Sequence, residues 1–142
     1  MKFVLDASIT MSWLLADGKA SDRQYAQAAL AALSQDDVSA VVPAIWPFEV
    51  TNVLAKAEAR AQLSEAQSES FLELLAELDI DVDSGSPDKA PTSILQLARR
   101  YRLSSYDASY LETAMRLSLP LATLDADLQK AAKKAGVAKF VK

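Results

Sequence analysis

Along the chain, short apolar runs alternate with segments in which apolar residues recur every three or four positions. These two patterns predict the order of the strands and helices. Short apolar runs predict strands at residues 3–5, 38–42, 79–83 and 121–124, with a terminal strand at 139–141. The second run is rich in valine and stops at Pro43, which is typical of a strand buried in a parallel sheet. The third run alternates Asp-Ile-Asp-Val-Asp, which predicts an edge strand with one face in water.

Apolar residues three and four positions apart predict helices between these strands. A short helix is expected to pass Trp13 after the first strand, and Gly136 is expected to end the last helix. The other helix starts carry residues that favour a capping box, an N-cap or a first turn: Ser21, Pro47, Ser64, Pro91, Ser104 and Asp125.

The order of these elements is β-α-α-β-α-α-β-α-α-β-α-β. It predicts one α/β domain over residues 1–142, with a mostly parallel sheet of four to five strands between two layers of helices. Such a fold is a three-layer α/β/α arrangement. Ligands in these sheets bind beyond the carboxyl ends of the strands, where helix N-termini also lie.

The amino-acid composition restricts the chemistry that the chain supports. None of the 142 residues is His or Cys, which excludes a Ser-His-Asp triad, imidazole or thiolate metal ligands and disulfides. An enzyme of this composition must therefore use carboxylates. The apolar run at residues 3–5 is too short for a signal peptide or a membrane span, so we expect a soluble cytoplasmic protein with no membrane partner.

The net charge of −4 argues against a nucleic-acid partner, but the charges are unevenly distributed. Eight of the 19 acids lie between residues 62 and 88, where no Lys or Arg occurs, so the remaining 15 bases face 11 acids. The rest of the chain is therefore basic. A polyanionic partner such as RNA stays compatible with the sequence, especially with bound divalent cations.

Acids follow the predicted strands or begin the helices that come next. Asp6 and Asp125 end apolar runs, Glu49 and Asp107 lie in first turns of helices, and Asp127 comes two residues after Asp125. Each acid alone suits an ordinary N-cap or first turn. Together, at one edge of a parallel sheet, they would repel one another and need a counterion. An all-oxygen donor set selects a hard cation, so the sequence predicts a Mg²⁺ or Mn²⁺ site.

Four segments carry a resemblance to a known family. They are VLDAS at 4–8, WPFEVTNVL at 46–54, SYDASYLETA at 105–114 and ATLDADL at 122–128. In this order they resemble the signature blocks of PIN-domain proteins of the VapC toxin type. The resemblance implies a Mg²⁺- or Mn²⁺-dependent endoribonuclease that cleaves RNA, usually a homodimer, held inactive by a cognate VapB-like antitoxin near the acidic groove.

The resemblance also assigns roles to individual residues. Asp6, Glu49, Asp107 and Asp125 are similar to the acidic quartet of the family, which holds the metal and carries catalysis. Asp125 is favoured as the fourth ligand because it ends a strand, and Asp127 is the alternative or an outer ligand. The positions that orient carboxylates or water, or make structural polar contacts, correspond to Ser8, Asn52 and Thr123.

Other residues have a functional and a structural interpretation. The aromatic residues Trp13, Trp46, Tyr106 and Tyr110 are expected in the core or at a dimer interface rather than as stacking platforms for bases. Lys56 and Arg60 suit either the RNA backbone or a solvated surface. Six other basic residues are expected to stabilise helix C-termini: Arg99, Arg100, Arg102, Lys130, Lys133 and Lys134.

Two other functions compete with a toxin nuclease. The first is a non-catalytic module that keeps the fold and binds RNA or a protein. The second is a phosphotransfer receiver domain, which also has an Asp after its first strand and binds Mg²⁺. The receiver is disfavoured because the chain lacks a second acid beside Asp6 and a Lys at the end of the fourth strand.

Overall fold

Four short parallel strands form the centre of the fold. The structure, a computed structural model, describes residues 1–15 and 17–141. The strands are β1 (Lys2–Leu5), β2 (Ser39–Pro43), β3 (Ile80–Asp83) and β4 (Leu121–Ala122), and their spatial order is β3-β2-β1-β4. All three strand pairs are parallel. The predicted terminal strand is reduced to one parallel bridge between Leu121 and Lys139.

Burial follows the predicted pattern of the strands. The last three residues of β1 and the last four of β2 are buried, as expected of central strands covered on both faces. The acid-rich strand β3 lies at the edge of the sheet, where Val82 is 50% exposed. The predicted α/β fold, with a parallel sheet flanked by helices, is confirmed.

The described residues form eight α-helices and one π-helical segment. None of these helices combines the length and the apolar character that crossing a membrane requires. The helices are α1 (Ala7–Ser12), α2 (Ala20–Leu33), α3 (Trp46–Ala59), α4 (Glu65–Glu77), α5 (Ser86–Lys89), α6 (Leu95–Tyr101), α7 (Ser105–Leu117) and α8 (Ala126–Lys134), and the π-helical segment Ala90–Ile94 joins α5 to α6.

Some predicted helix starts are correct and others are wrong. The capping box at Ser64 is present, with Ser64 Oγ accepting from the Gln67 amide at 3.1 Å and Gln67 Oε1 accepting from the Ser64 amide at 2.9 Å. The capping box at Ser21 is absent, because α2 already begins at Ala20 and Lys19 is its N-cap. Pro91 is the second residue of the π-helical segment, but the continuous helical stretch already begins at Ser86 rather than at Pro91. A wide π turn tolerates a residue that has no N–H to donate.

Three of the four singled-out aromatic residues pack in or against the core, as predicted. Trp46 is buried, and its indole Nε1 donates to Thr10 Oγ1 at 3.2 Å, which joins α3 to α1. Trp13 lies just after α1 and donates to the carbonyl of Ala26 at 2.7 Å. Tyr110 is fully buried. Tyr106 is 58% exposed, so it lies outside the core, and a dimer interface stays the predicted alternative for this residue.

A partly buried ion-pair cluster joins α7 to the edge of the sheet. Glu112 is 4% exposed, and its Oε1 accepts from Arg116 Nε at 2.6 Å. The same guanidinium bonds Asp83 Oδ2 at 2.5 Å through Nη2. Both bonds raise the pKa of Arg116, the one to Glu112 more strongly. Arg116 therefore compensates an acid that would otherwise be buried without a partner.

We expect Arg116→Met to lower the free energy of unfolding by about 2 kcal/mol at pH 7, because Glu112 loses its cation while the apolar stem is kept. Urea melts measure the difference. Arg99→Met, an exposed substitution that also removes one positive charge, is expected to change stability by about 0.5 kcal/mol or less. Equal effects of the two substitutions would contradict the role of the cluster.

Candidate metal centre

The topology of the sheet brings four acids to its carboxyl edge. Asp6 directly follows β1, and Asp125 lies three residues after β4, the neighbour of β1. Each of these two residues is the N-cap of the helix that comes next. Glu49 lies in the first turn of α3, which follows β2, and Asp107 lies in the first turn of α7.

Two hydroxyl groups hold the carboxylate of Asp6, which is 5% exposed. Ser8 Oγ donates to Asp6 Oδ2 at 2.6 Å, and Thr123 Oγ1 donates to the same oxygen at 2.7 Å. Ser8 Oγ also accepts from the Leu124 amide, and Thr123 Oγ1 from the Asp125 amide, both at 3.0 Å. The two hydroxyls therefore connect the end of β1 to the segment after β4. They lie where a group that orients a carboxylate is expected.

The Asp125 carboxylate is fixed by the helix that it begins. Its Oδ1 accepts from the Leu128 amide at 2.8 Å, which is an N-cap bond at the start of α8. Gln129, one turn into the same helix, donates to the carbonyl of Thr123 at 2.8 Å and braces the connecting segment. Both interpretations of Asp125, helix cap and cluster member, are thus compatible with its position.

Tyr110 holds Glu49, a contact that sequence analysis missed. The phenol donates to Glu49 Oε1 at 2.5 Å from a fully buried ring. The pattern carried a signal for this contact, because Tyr110 lies three positions after Asp107 and shares its helix face. A buried tyrosine hydroxyl also needs a hydrogen-bond partner.

The acids act on one another electrostatically. Burial raises the pKa of Asp6, and the charge of Asp125 raises it further, while the bonds from Ser8 and Thr123 oppose the shift. Burial also raises the pKa of Glu49, and Asp6 and Asp107 add to the shift. The structure therefore brings the acids that the sequence singled out within range of each other's charge.

The pKa of Asp107 connects the remaining acids to this group. This pKa is raised to about 6. Burial contributes most, the charges of Asp125 and Asp6 contribute next, and the charge of Asp127 contributes least. Asp127 itself is exposed in the first turn of α8. We call the five acids the acidic cluster: Asp6, Glu49, Asp107, Asp125 and Asp127.

Asn52 lies apart from the hydrogen bonds of the acidic cluster. It is exposed on α3, one turn after Glu49, and lines a groove with Glu49, Phe48 and Tyr106. Phe48 is 71% exposed, so two exposed aromatic rings flank this groove beside the acids. Asn52 therefore borders this groove, and no described residue connects it to a carboxylate by a hydrogen bond.

The chemistry of the donors fits a hard cation, although no ready-made cage is present. Within residues 1–15 and 17–141, no three acidic side chains are arranged closely enough to hold a metal ion. Hydroxyl and amide donors engage one oxygen each of Asp6, Glu49 and Asp125. Because every group is an oxygen donor and several carry raised pKa values, a divalent cation would relieve their repulsion.

Comparisons with known proteins identify the fold. The sequence matches the family model of the PIN domain over residues 3–134. The structure is similar to PAE2754 from Pyrobaculum aerophilum, with a TM-score of 0.65 and 22% identity over 98% of this chain and 83% of that chain. It is also similar to FitAcB from Neisseria gonorrhoeae, with a TM-score of 0.62 and 22% identity over 99% of this chain and 97% of that chain. No curated protein is significantly similar in sequence.

The raised pKa values predict how the stability of the metal-free protein depends on pH. An acid whose pKa is higher in the folded state binds more protons there, so the free energy of unfolding increases as pH falls. For Asp107 this window runs from about 6, its folded value, down to about 3.9, the value in an unfolded chain.

We therefore expect urea melts in EDTA to show higher stability at pH 5 than at pH 7, and Asp107→Asn to reduce the difference. Asp22→Asn, in the first turn of α2 away from the cluster, serves as the matched control and should retain the wild-type dependence. A dependence that is absent, or unchanged in Asp107→Asn, would contradict the proximity of the acids.

Tyr110→Phe is expected to weaken Mn²⁺ binding about tenfold while the ring stays packed, because Glu49 loses the donor that fixes it. The shift of the thermal midpoint with increasing Mn²⁺ measures the affinity. Tyr25→Phe removes a comparable bond, from the phenol to the Phe140 carbonyl at 2.7 Å, and is expected to leave Mn²⁺ affinity unchanged. The same loss of affinity in both variants would argue against a positioning role for Tyr110.

Proposed function

Because the chain belongs to the PIN domain family, we propose that it is a metal-dependent endoribonuclease. The proposed reaction is hydrolysis of an RNA phosphodiester bond by water. Asp6, Glu49, Asp107 and Asp125 are the proposed metal ligands and catalytic residues, with Mg²⁺ or Mn²⁺ as the cation and Asp127 as an outer ligand. One observation carries the proposal: acids from separate elements meet at the carboxyl edge of the sheet and raise one another's pKa.

Each residue near the acids has a specific part in this proposal. When bound, Mg²⁺ or Mn²⁺ would activate water and neutralise charge on the phosphate. Ser8 and Thr123 donate to Asp6 Oδ2, which favours its ionised form and fixes its orientation. Tyr110 does the same for Glu49. Within the described residues, no side-chain donor engages Asp6 Oδ1, Glu49 Oε2 or Asp125 Oδ2, and these are the oxygens proposed to bind the cation.

The groove next to Glu49 supports a proposal for the class of substrate. Its exposed rings, Phe48 and Tyr106, offer flat faces against which unpaired bases stack. Bases are accessible in this way in single-stranded RNA and are hidden in a duplex. We therefore propose single-stranded regions of RNA as the substrate.

The biological role proposed here is that of a toxin. It rests on the four signature blocks, which resemble those of VapC toxins. A cognate VapB-like antitoxin is the corresponding partner, a homodimer the corresponding assembly, and the cytoplasm, where RNA is accessible, the corresponding compartment. A small neighbouring gene whose product binds this chain and suppresses RNA cleavage would support the toxin role.

A non-catalytic module is the second candidate. The observation that favours it is the lack of a ready-made cage for a cation among the described acids. In such a module the same fold would bind RNA or a protein without hydrolysis. The two functions differ in their response to divalent cations, because only the nuclease requires the acids to bind one.

Cleavage of a fluorescent single-stranded RNA tests the leading proposal. We expect cleavage with Mg²⁺ or Mn²⁺, none with EDTA, and a loss of about 100-fold or more in Asp6→Asn, because several kcal/mol of charge stabilisation are removed. Asn retains an oxygen that accepts from Ser8 and Thr123, so the fold is expected to persist. Asp36→Asn, which changes an exposed acid outside the cluster, is the matched control.

Thermal melts separate the outcomes of this experiment. A midpoint that rises with Mn²⁺ in the wild type and in Asp36→Asn, but not in Asp6→Asn, supports metal binding at the acidic cluster. Cleavage that persists in both EDTA and Asp6→Asn would refute the metal mechanism. Tight RNA binding with no cleavage and no Mn²⁺ response would favour the non-catalytic module.

A further inference from the structure

Four basic residues line one cleft beside the acidic cluster. Arg100 and Arg102 come from the end of α6, Lys130 and Lys134 come from α8, and Asp127 completes the rim. The cleft has a volume of about 460 Å³. We call it the cationic cleft. We propose that it binds the phosphate backbone of the RNA substrate next to the scissile bond, an inference that rests on the proposed nuclease function.

Helix C-termini explain only part of this convergence. Arg100 and Lys134 lie in the last turns of their helices, where cations are favoured. Lys130 lies in the middle of α8, and Arg102 lies beyond α6 with a left-handed backbone at φ 55°. Arg102 is nevertheless the C-cap of α6, so the C-terminal dipole accounts for three of the four cations and leaves Lys130 unexplained.

The cations of the cleft lack acidic partners. Across residues 1–15 and 17–141, the salt bridges that form involve Arg116, and none involves the four basic residues of the cleft. The Arg100 guanidinium lies 5.7 Å from the centroid of the Tyr101 ring. Like charges that share a cleft repel one another, so an anion bound between them is stabilising. The regularly spaced phosphates of a nucleic acid would place negative charges beside these four cations.

The cleft is continuous with the acidic cluster. Asp127 belongs to both, since it lines the cleft and acts on Asp107 in the cluster. Arg102 lies two residues before Ser104, whose Oγ caps α7 by accepting from the Asp107 amide at 3.0 Å. A ligand that reaches from the cations to the acids must therefore carry charge at more than one point, as a phosphodiester chain does.

The charge distribution favours RNA over an acidic protein segment. Eight acids between residues 62 and 88 and a net charge of −4 repel polyanions from much of the surface. The cationic cleft is then needed to hold a polyanion at a site that itself consists of acids. A nucleic acid with one phosphate at the proposed metal has its neighbouring phosphates within reach of the cationic cleft. The carboxylates of an acidic peptide also bind a divalent cation, but they are carried on flexible side chains rather than spaced regularly along the backbone as phosphates are.

Two double variants with the same loss of charge test the inference. Arg102→Gln/Lys130→Gln removes two cations of the cleft. Arg99→Gln/Lys133→Gln removes two exposed cations near the same helix ends, and Lys133 lines a different cavity on α8. Because both variants change the net charge equally, a difference between their Kd values for RNA measures the contribution of the cleft alone.

Binding of a fluorescent single-stranded RNA of about 12 nucleotides is measured by anisotropy in Ca²⁺, with the intact length of the RNA verified on a gel. The cleft variant is expected to raise Kd at least about tenfold and to reduce the salt slope, log Kd against log salt, by about 1.4, or about 0.7 for each lost phosphate contact. The control variant is expected to change Kd less than about threefold. In cleavage assays with Mg²⁺, the cleft variant should raise KM more than it lowers kcat.

The outcomes distinguish this inference from the proposed function. Equal Kd values for the two variants would overturn the proposal that the cleft binds RNA. The proposed nuclease function would remain supported, provided that the wild type cleaves RNA. Cleft-dependent binding without cleavage would support the cleft and overturn the nuclease. A wild type that binds no RNA would overturn both. A polyglutamate peptide that binds as tightly as RNA, and loses affinity in the cleft variant, would replace RNA by an acidic protein partner.

Discussion

Repulsion among partly buried carboxylates is the constraint on which the functional interpretation depends. Two ionised carboxylates about 4 Å apart repel by about 4 kcal/mol at an effective dielectric of about 20. The fold nevertheless directs Asp6, Glu49, Asp107 and Asp125 to one sheet edge, because parallel strands and helix N-termini point there. Hydroxyl and amide donors relieve part of the repulsion at single oxygens. The remainder is available to drive the binding of a cation.

The salt bridges of the described residues lie elsewhere in the fold. Arg116 neutralises Glu112 and Asp83 at the opposite side of α7, and no salt bridge of the described residues reaches the acidic cluster. A basic side chain in the cluster would stabilise the fold and compete with a metal for the same oxygens. Neutral donors such as Ser8, Thr123 and Tyr110 orient the carboxylates without this competition. This arrangement is the one expected if stability is traded for the proposed metal binding.

Local chemistry made much of the fold predictable. The alternation at residues 79–83 indicated the edge strand, and the N-cap at Asp125 followed from residue preferences and position. Tertiary context decided the rest. Ser21 fits a capping box, yet α2 starts earlier, while Tyr106 is exposed because its ring points into a groove rather than into the core. The bond from Tyr110 to Glu49 spans 61 positions, and although the helix face shared with Asp107 pointed to Tyr110, its partner depends on the tertiary positions of α7 and α3.

The Thr123 hydroxyl connects the first strand of the chain to its last helix. It bonds a carboxylate 117 positions upstream and the amide of Asp125, and its segment follows β4, a strand of only two residues. Local opening of the segment that begins at β4 would separate these partners while most of the sheet stays intact. Amide hydrogen exchange in this segment therefore reports how often the acids are assembled, independently of global unfolding. A strand of two residues, rather than the buried core, would then set how long the acids stay assembled.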